Sequence, residues 1–204
     1  MRLDDFTTIR FDDGMAAPAF AFHALAGTIA RMSYWKPLVV AGTAIDLSHL
    51  EPFEFRVLPK GLTTEATIQV VFNNHCFSEE FDAARHSEPL PKTHVASHET
   101  RGFDAVRHEL SKLLPDQVRA FDGRRVAQTR TGPLVRVTLA DGRDYAIVFT
   151  LKKVGALTCE LFVMSAYPLD RPKSQVVATG EMKFNVAVAL VLEGKKPKFP
   201  SGRH

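Results

Sequence analysis

The chain has little cysteine, since only Cys76 and Cys159 occur among its 204 residues. Two cysteines are too few for a disulfide scaffold or for a zinc site built on thiolates, and they fit a reducing compartment. Long apolar runs are also missing, because no stretch reaches the roughly 20 apolar residues that a membrane span requires. We therefore expect a cytoplasmic protein that does not enter a membrane.

Several motifs that identify enzyme classes are missing as well. The sequence contains no Gly-rich phosphate loop, no HExxH zinc motif, no nucleophile elbow and no CxxC pair. Their absence argues against a P-loop NTPase, a zinc peptidase, an α/β-hydrolase and a Rossmann enzyme. We accordingly expect no bound cofactor.

The composition is that of a globular protein, with 45% hydrophobic and 24% charged residues and a net charge of +3. The charge is unevenly distributed. Residues 1–100 hold 8 Lys and Arg against 13 Asp and Glu, whereas residues 101–204 hold 18 against 10. A basic second half is suited to phosphate groups, and attraction between two halves of one fold is the simpler interpretation.

The first 31 residues differ from the rest. Residues 15–30 resemble the apolar core of a signal peptide, but residues 1–14 carry two arginines against four aspartates, and a secretory signal has a positive flank. We interpret residues 1–31 as an arm, which is either a short docking helix or an over-extended start preceding Met32. Residues 32–204 then form a single domain.

Hydrophobic patterning predicts an α+β fold, with one or two helices packed on a mainly antiparallel β-sheet. β-Branched and apolar runs over residues 38–47, 53–58 and 66–72 predict an N-terminal β unit. Residues 78–102 are polar and include three histidines, which indicates a long loop. Residues 103–121 have helical spacing, with a break or a second short helix at their proline.

The second half shows the period-two alternation of β-strands. We predict a three-stranded antiparallel meander over residues 134–167, with one turn at an Asp-Gly pair. Its last strand, residues 157–167, is apolar on both faces and should be central. Strands are expected over residues 175–179 and 183–192, and the basic, Pro-rich tail is expected to fray.

Polar residues at strand ends supply candidate functional groups. His75 follows the third predicted strand beside Cys76, which suits either a base–nucleophile pair or local hydrogen bonding and packing. His49 follows the first strand and is either a site residue or a turn residue. Ser165 and Tyr167 form the polar end of an apolar strand face, where they either line a cleft or emerge into solvent.

Basic residues form a second group of candidates. Arg101, Arg107 and His108 stand near the start of the predicted helix, where they are suited to phosphate contact or simply form a solvated face. Arg136 and Lys183 are further candidates for binding nucleic acid. The histidines of the polar loop raise the alternative of a metal site, although a solvated loop explains them equally.

The chain also resembles a known group of enzymes. A helix followed by a meander with Tyr145-Ala-Ile-Val-Phe149 and Leu161-Phe-Val-Met-Ser-Ala-Tyr167 resembles the core of the barnase–EndoU–colicin–RelE superfamily of metal-independent RNases, which includes phage-borne members. The resemblance covers about residues 100–192. It implies helices on a curved antiparallel sheet, and RNA cleavage through attack by the 2′-hydroxyl.

Such cleavage requires a general base, a general acid and a cation at the phosphate. By motif position, the resemblance implies a role for Ser165 and Tyr167. The residues themselves suggest His75 or His108 as the base, and an arginine, Arg107 or Arg136, at the phosphate.

Two alternatives to an endoribonuclease stay open, so the sequence leaves undecided whether the protein is an enzyme. One is a non-catalytic regulatory protein, of phage or mobile-element type, that binds nucleic acid or a protein partner through its basic half. The other is a metal-binding protein that uses residues 75–98.

Overall fold

The computed structural model describes residues 33–129, 132–169 and 180–199, which belong to one compact unit. The predicted arm at residues 1–31 and the predicted strand at residues 175–179 lie outside these ranges. The described strands are β1 (Leu38–Val40), β2 (Thr43–Ile45), β3 (Phe53–Val57), β4 (Ala66–Phe72), β5 (Ser78–Glu80), β6 (Arg101–Phe103), β7 (Arg125–Thr129), β8 (Gly132–Thr138), β9 (Asp144–Gly155), β10 (Thr158–Pro168) and β11 (Gly180–Lys183). The helices are α1 (Ala105–Ser111), α2 (Leu114–Arg119) and α3 (Phe184–Leu192), with short 3₁₀-helices at Ser48–Leu50 and Asn74–Cys76.

The main sheet has seven strands in the order β11–β7–β8–β9–β10–β4–β3. All neighbouring strands are antiparallel except β4 and β10, which are parallel. The predicted α+β fold with a mainly antiparallel sheet is confirmed, as is the meander β8–β9–β10 with its Asp-Gly turn, where Gly142 has a φ of +83°. None of the described helices is both long and apolar enough to cross a membrane.

The predicted N-terminal β unit is divided between two sheets. β1 and β2 form a separate hairpin, whereas β3 and β4 extend the main sheet beyond β10. Local alternation predicted these strands correctly, but it carried no information about the long-range pairing of β4 with β10.

The main core lies between one face of the sheet and the helices. Ile147 and Leu161 come from the sheet, and Leu114 and Phe184 come from the helices. All four side chains are fully buried. A smaller cluster on the opposite face contains Ala146, with Tyr167 packed at its border. β10 is therefore apolar on both faces and central, as predicted.

A bulge in β10 changes which residues face the core. The register with β9 shifts between Val163 and Ser165, so that Val163 and Ala166 both join the main core. Tyr167 and Met164 instead border the smaller cluster on the other face. The prediction that Ser165 and Tyr167 continue the face of the earlier core residues is therefore wrong.

Residues 184–192 form helix α3, so the strand predicted over residues 183–192 is wrong. The helix is buried over most of its surface, and Phe184 packs against Phe121 with ring centroids 5.4 Å apart. Because the helix has no wide polar face, its sequence lacks the 3.6-residue period, and its valines favour a strand by propensity. The described part of the tail, residues 195–199, also differs from expectation, since Phe199 packs against the core, while the rest of the tail lies outside the described residues.

The break predicted within residues 103–121 is confirmed. The Asp104 carboxylate caps α1 by accepting hydrogen bonds from the Val106 and Arg107 amides, and α2 begins with Pro115 in its first turn. The polar loop is more ordered than its composition suggests. Its two ends form the hairpin β5–β6, with Ser78 opposite Phe103.

The parallel pairing of β4 and β10 ends early, and this opens a gap beside β10. The last pair is Phe72 with Val163, after which the Asn73 amide donates to the Val163 carbonyl over 2.9 Å. The chain then turns into the 3₁₀-helix Asn74–Cys76. Beyond Val163, β10 is therefore flanked by this 3₁₀-helix and by α1 in place of a strand.

Candidate functional site

Polar side chains from four elements and one connection meet beside the end of β10. We call this group the strand-end cluster and define it as His75, Glu99, Arg101, Arg107 and Tyr167. The 3₁₀-helix after β4 supplies the histidine, the β5–β6 connection and β6 supply the glutamate and the first arginine, and α1 and β10 supply the other two. The early end of β4 creates the space that these side chains occupy.

His75 and Glu99 form a partly open pair. The imidazole Nε2 lies 3.2 and 3.3 Å from the two carboxylate oxygens, and both side chains are 28% exposed. An ionised carboxylate only accepts hydrogen bonds, so the neutral imidazole donates from Nε2 and keeps the lone pair of Nδ1. That nitrogen is the one able to accept a proton.

The two arginines of the cluster share one acceptor. Arg101 donates from Nε to Ser78 Oγ and from Nη2 to the Ser78 carbonyl, each over 2.8 Å. Arg107 donates from Nη1 to the same carbonyl over 3.0 Å and to the His75 carbonyl over 3.2 Å. Two positive groups are thus held next to each other by uncharged oxygens, while Asp104 contacts Arg107 and the charge of Glu99 acts on Arg101.

Arg107 also connects the helix to the end of the strand. Its guanidinium carbon lies 5.7 Å from the centre of the Tyr167 ring, within cation–π range. The Arg107 Nε is 3.5 Å from an Asp104 carboxylate oxygen, which is a long contact. The arginine therefore spans from the N-terminal turn of α1 to the hydroxyl-bearing end of β10.

Burial and charge shift the acid–base properties of the cluster. Burial, followed by the positive charge of Arg101, lowers the pKa of His75 despite the opposing effect of Glu99. Burial likewise lowers the pKa of Arg101 to about 10, and it raises the pKa of Tyr167. At neutral pH the imidazole is therefore uncharged, and Arg101 and the phenol are protonated.

Two buried groups lie close to Arg107 without being part of the open cluster. Cys76 is fully buried, with Sγ 4.0 Å from the Val163 carbonyl, and burial raises its pKa to about 12. A protonated, inaccessible thiol is inert, so Cys76 does not serve as a nucleophile. The Tyr145 hydroxyl is also buried and has no hydrogen-bond partner within the part of the chain that the structure describes.

His108 and His49 meet at a different place. We define the histidine pair as these two residues, whose rings contact edge to face with centroids 5.4 Å apart. His108 Nε2 donates to the Asp46 carbonyl over 2.8 Å, and His49 Nε2 lies 2.7 Å from the hydroxyl of buried Ser111. The prediction that His108 belongs to a site with Ser165 is not supported by this placement.

The other candidates are also separate from the cluster. Ser165 lies opposite Val148, on the same face of the sheet as Tyr167, but none of the described hydrogen bonds joins it to the strand-end cluster. Arg136 forms an ion pair with Asp144, and exposed Lys183 precedes α3. Of the nucleic-acid-binding candidates, only Arg101 therefore joins the strand-end cluster.

The histidines of the polar loop do not converge. His86 stacks on Phe81 with centroids 5.6 Å apart, whereas His94 stacks on Trp35 and bonds to the Lys36 carbonyl over 2.9 Å. Across residues 33–129, 132–169 and 180–199, no three metal-binding side chains come together. The metal alternative thus has no support from the placement of these side chains.

Sequence reasoning missed the roles of two residues. Glu99 was not among the candidate catalytic residues, but it pairs with His75. Ser78 was treated as an ordinary loop residue. The spacing Glu99-x-Arg101 at the start of a strand places both side chains on one side of the backbone and was the available indication.

Comparison with known proteins identifies a family. Curated proteins and solved structures give no match. A model of the YjaZ family matches residues 37–192, which is more than half of the chain and includes the whole strand-end cluster and the histidine pair. The chain belongs to the YjaZ family.

Proposed function

We propose that the protein is a metal-independent endoribonuclease whose site is the strand-end cluster. The observation that carries this proposal is the placement of the His75–Glu99 pair beside two arginines that are fixed on the Ser78 carbonyl. This arrangement combines a proton acceptor with two adjacent positive groups. Those are the two components that cleavage of a phosphodiester by its own 2′-hydroxyl requires.

Each group has a role in this reaction. The Nδ1 of His75 accepts the 2′-hydroxyl proton while Glu99 holds Nε2–H, and the 2′-oxygen attacks phosphorus. Arg101 and Arg107 stabilise the extra negative charge on the phosphate oxygens. The Tyr167 hydroxyl donates its proton to the 5′-oxygen as the bond from phosphorus to that oxygen breaks. The products are a cyclic phosphate and a free 5′-hydroxyl.

The shifted pKa values agree with these roles. Because the pKa of His75 is lowered, the imidazole is unprotonated and ready to act as a base at neutral pH. Because the pKa of Tyr167 is raised, its hydroxyl keeps the proton that it must deliver. The Ser165 hydroxyl, which the superfamily resemblance assigned to the site, takes no part in this scheme.

A second candidate function is RNA binding without cleavage. It is favoured by the arginine pair alone, which offers a site for an anion whether or not His75 transfers a proton. The two candidates differ in turnover and agree in predicting that affinity for RNA weakens with rising salt concentration.

The proposal is tested by incubating end-labelled single-stranded RNA with the protein in the presence of EDTA. We expect cleavage by the wild type, no cleavage of the matching 2′-deoxy oligonucleotide, and a rate reduced by roughly 10²–10⁴-fold in His75→Ala. His108→Ala is the matched control, because this histidine follows Arg107 in α1 but its ring lies outside the cluster, against His49. It should cleave at nearly the wild-type rate.

Two results would contradict the nuclease assignment. Intact RNA after prolonged incubation with the wild type excludes cleavage, and binding under the same conditions then selects the second candidate. Equal cleavage by His75→Ala and the wild type places the chemistry elsewhere.

A further inference from the structure

Ser78 occupies a central position beneath the strand-end cluster. It is fully buried in β5, and both of its oxygens are used. Its hydroxyl donates to the Asn74 carbonyl over 2.8 Å and accepts from Arg101 Nε over 2.8 Å. Its carbonyl accepts from Arg101 and from Arg107. One residue therefore connects the 3₁₀-helix that carries His75 to both guanidinium groups.

The bonds from Ser78 hold together groups that repel each other. Two guanidinium groups on one carbonyl are destabilised by their like charges, and the charges of Glu99, Glu79 and Glu80 offset this repulsion at Arg101 only in part. Without a fixed partner, a long arginine side chain turns toward solvent, where its charge is hydrated. The two-point contact of Arg101 with Ser78 is the interaction that prevents this.

We propose that Ser78 is the positioning residue of the site, and that its hydroxyl fixes Arg101 next to His75 so that both arginines face one phosphate group. The identity of that phosphate as part of RNA rests on the proposed function. The positioning itself does not, because it concerns only contacts within the chain.

We expect that loss of the Ser78 hydroxyl alone is enough to release Arg101 from its fixed position. In Ser78→Ala, Arg101 keeps its bond to the carbonyl but loses the Nε bond, and the Asn74 carbonyl loses its donor. The guanidinium is then free to rotate about a single contact. Its average distance from His75 increases, and Arg107 loses the neighbour with which it forms the anion site.

The test is an NMR titration of the His75 ring, which reports the distance of the nearby charge without requiring any activity. The groups that face this ring are Glu99, Arg101 and Arg107. Removing or displacing Arg101 takes away a positive charge, so the His75 titration should move to higher pH in both Arg101→Gln and Ser78→Ala. Ser165→Ala removes none of the charged groups that face the His75 ring, so it should titrate like the wild type.

A second variant keeps the test decisive if Ser78→Ala folds poorly. Arg101→Lys keeps the positive charge but cannot make the two-point contact with Ser78. Positioning by Ser78 predicts that the His75 titration rises in this variant as well. A titration identical to that of the wild type in folded Ser78→Ala or in Arg101→Lys would overturn the proposal.

Binding separates this inference from the proposed function. We expect Ser78→Ala to weaken binding of an uncleavable 2′-deoxy oligonucleotide by about tenfold, the scale of one charged hydrogen bond. If the His75 titration shifts but the wild type neither binds nor cleaves RNA, the positioning role stands and the RNA assignment fails. If RNA is cleaved but the His75 titration does not shift in the variants, the RNA assignment stands and the positioning role of Ser78 fails.

Discussion

Two histidine sites adjoin helix α1, and their surroundings differ. In the histidine pair, His49 and His108 bond to a buried hydroxyl and to a backbone carbonyl, so the chain satisfies both Nε2 atoms by itself. In the strand-end cluster, His75 bonds to a partly exposed carboxylate beside two arginines. In the first site the rings bond to uncharged groups of the chain, whereas the second holds a partly exposed base next to two positive groups.

The difference shows that the group bonded to an arginine decides how much of its positive charge can act on a ligand. Arg136 is neutralised by the carboxylate of Asp144, whereas Arg101 and Arg107 are held mainly by uncharged oxygens. A carbonyl fixes a guanidinium without cancelling its charge, so the charge remains available to a ligand. Exposure alone would have selected Arg136, which is the more accessible side chain.

The largest effect that would test this comparison concerns the arginines. We expect Arg107→Gln to reduce RNA cleavage by roughly 100-fold, about 3 kcal/mol of transition-state stabilisation, because it removes charge from the anion site. Arg136→Gln removes the same charge from an ion-paired surface position and should change the rate by less than about twofold. Single-turnover kinetics on one RNA substrate provides the measurement. Equal losses in the two variants would show that only overall charge matters.

A smaller effect concerns the strand that carries Arg101. A Cβ at Gly102 would lie 2.3 Å from the ring of His86, which is nearly buried against Phe81. We expect Gly102→Ala to lower the free energy of unfolding by about 2–3 kcal/mol through overpacking, measured by urea denaturation. Adding His86→Ala should recover part of that loss. A double variant less stable than Gly102→Ala alone would rule out the clash as the cause.

The smallest effect distinguishes the histidine pair by pH. Burial, followed by the charge of His108, lowers the pKa of His49 to about 4 from its usual 6.5. The folded protein therefore binds this proton less readily than the unfolded chain, so stability is full above pH 6.5 and falls between pH 6.5 and 4.

Asp46 and Glu109 also face this ring and moderate the shift, whereas the positive charge of Lys112 adds to it. Because the ring is partly solvated, we expect a loss of about 1 kcal/mol across that range. His49→Gln should flatten the dependence of the unfolding free energy on pH. An unchanged slope in the variant would assign the dependence to other groups, such as His75.

The sequence predicted those parts of the fold that depend on neighbouring residues. The meander β8–β9–β10 follows from alternation and an Asp-Gly turn, and the two helices after the polar loop follow from apolar spacing and a proline. Helix α3 was missed because burial on most sides removes the polar face from which a helical period is recognised. The parallel pairing of β4 with β10 was out of reach, since no local pattern specifies a distant partner.

The candidate site likewise depends partly on local sequence patterns and partly on long-range contacts. His75, Arg101, Arg107 and Tyr167 were selected from the sequence because polar residues at element ends often carry function. Their assembly depends on the gap that the early end of β4 leaves beside β10, which is a tertiary feature. The sequence therefore also favoured His108, which follows Arg107 in the chain. Its ring instead packs against His49.

The parallel pairing of β4 with β10 has a consequence for the order of events during synthesis. Thr67 pairs with Thr158, so the two strands are about 90 residues apart in the chain, and closing so long a loop is entropically costly and slow. The meander is able to form from adjacent segments, but β4 must wait for β10 to leave the ribosome. His75 follows β4 directly, and it reaches Tyr167 only after that step. An incomplete nascent chain therefore has no assembled site. The proposed RNA cleavage would begin only after the whole domain has folded.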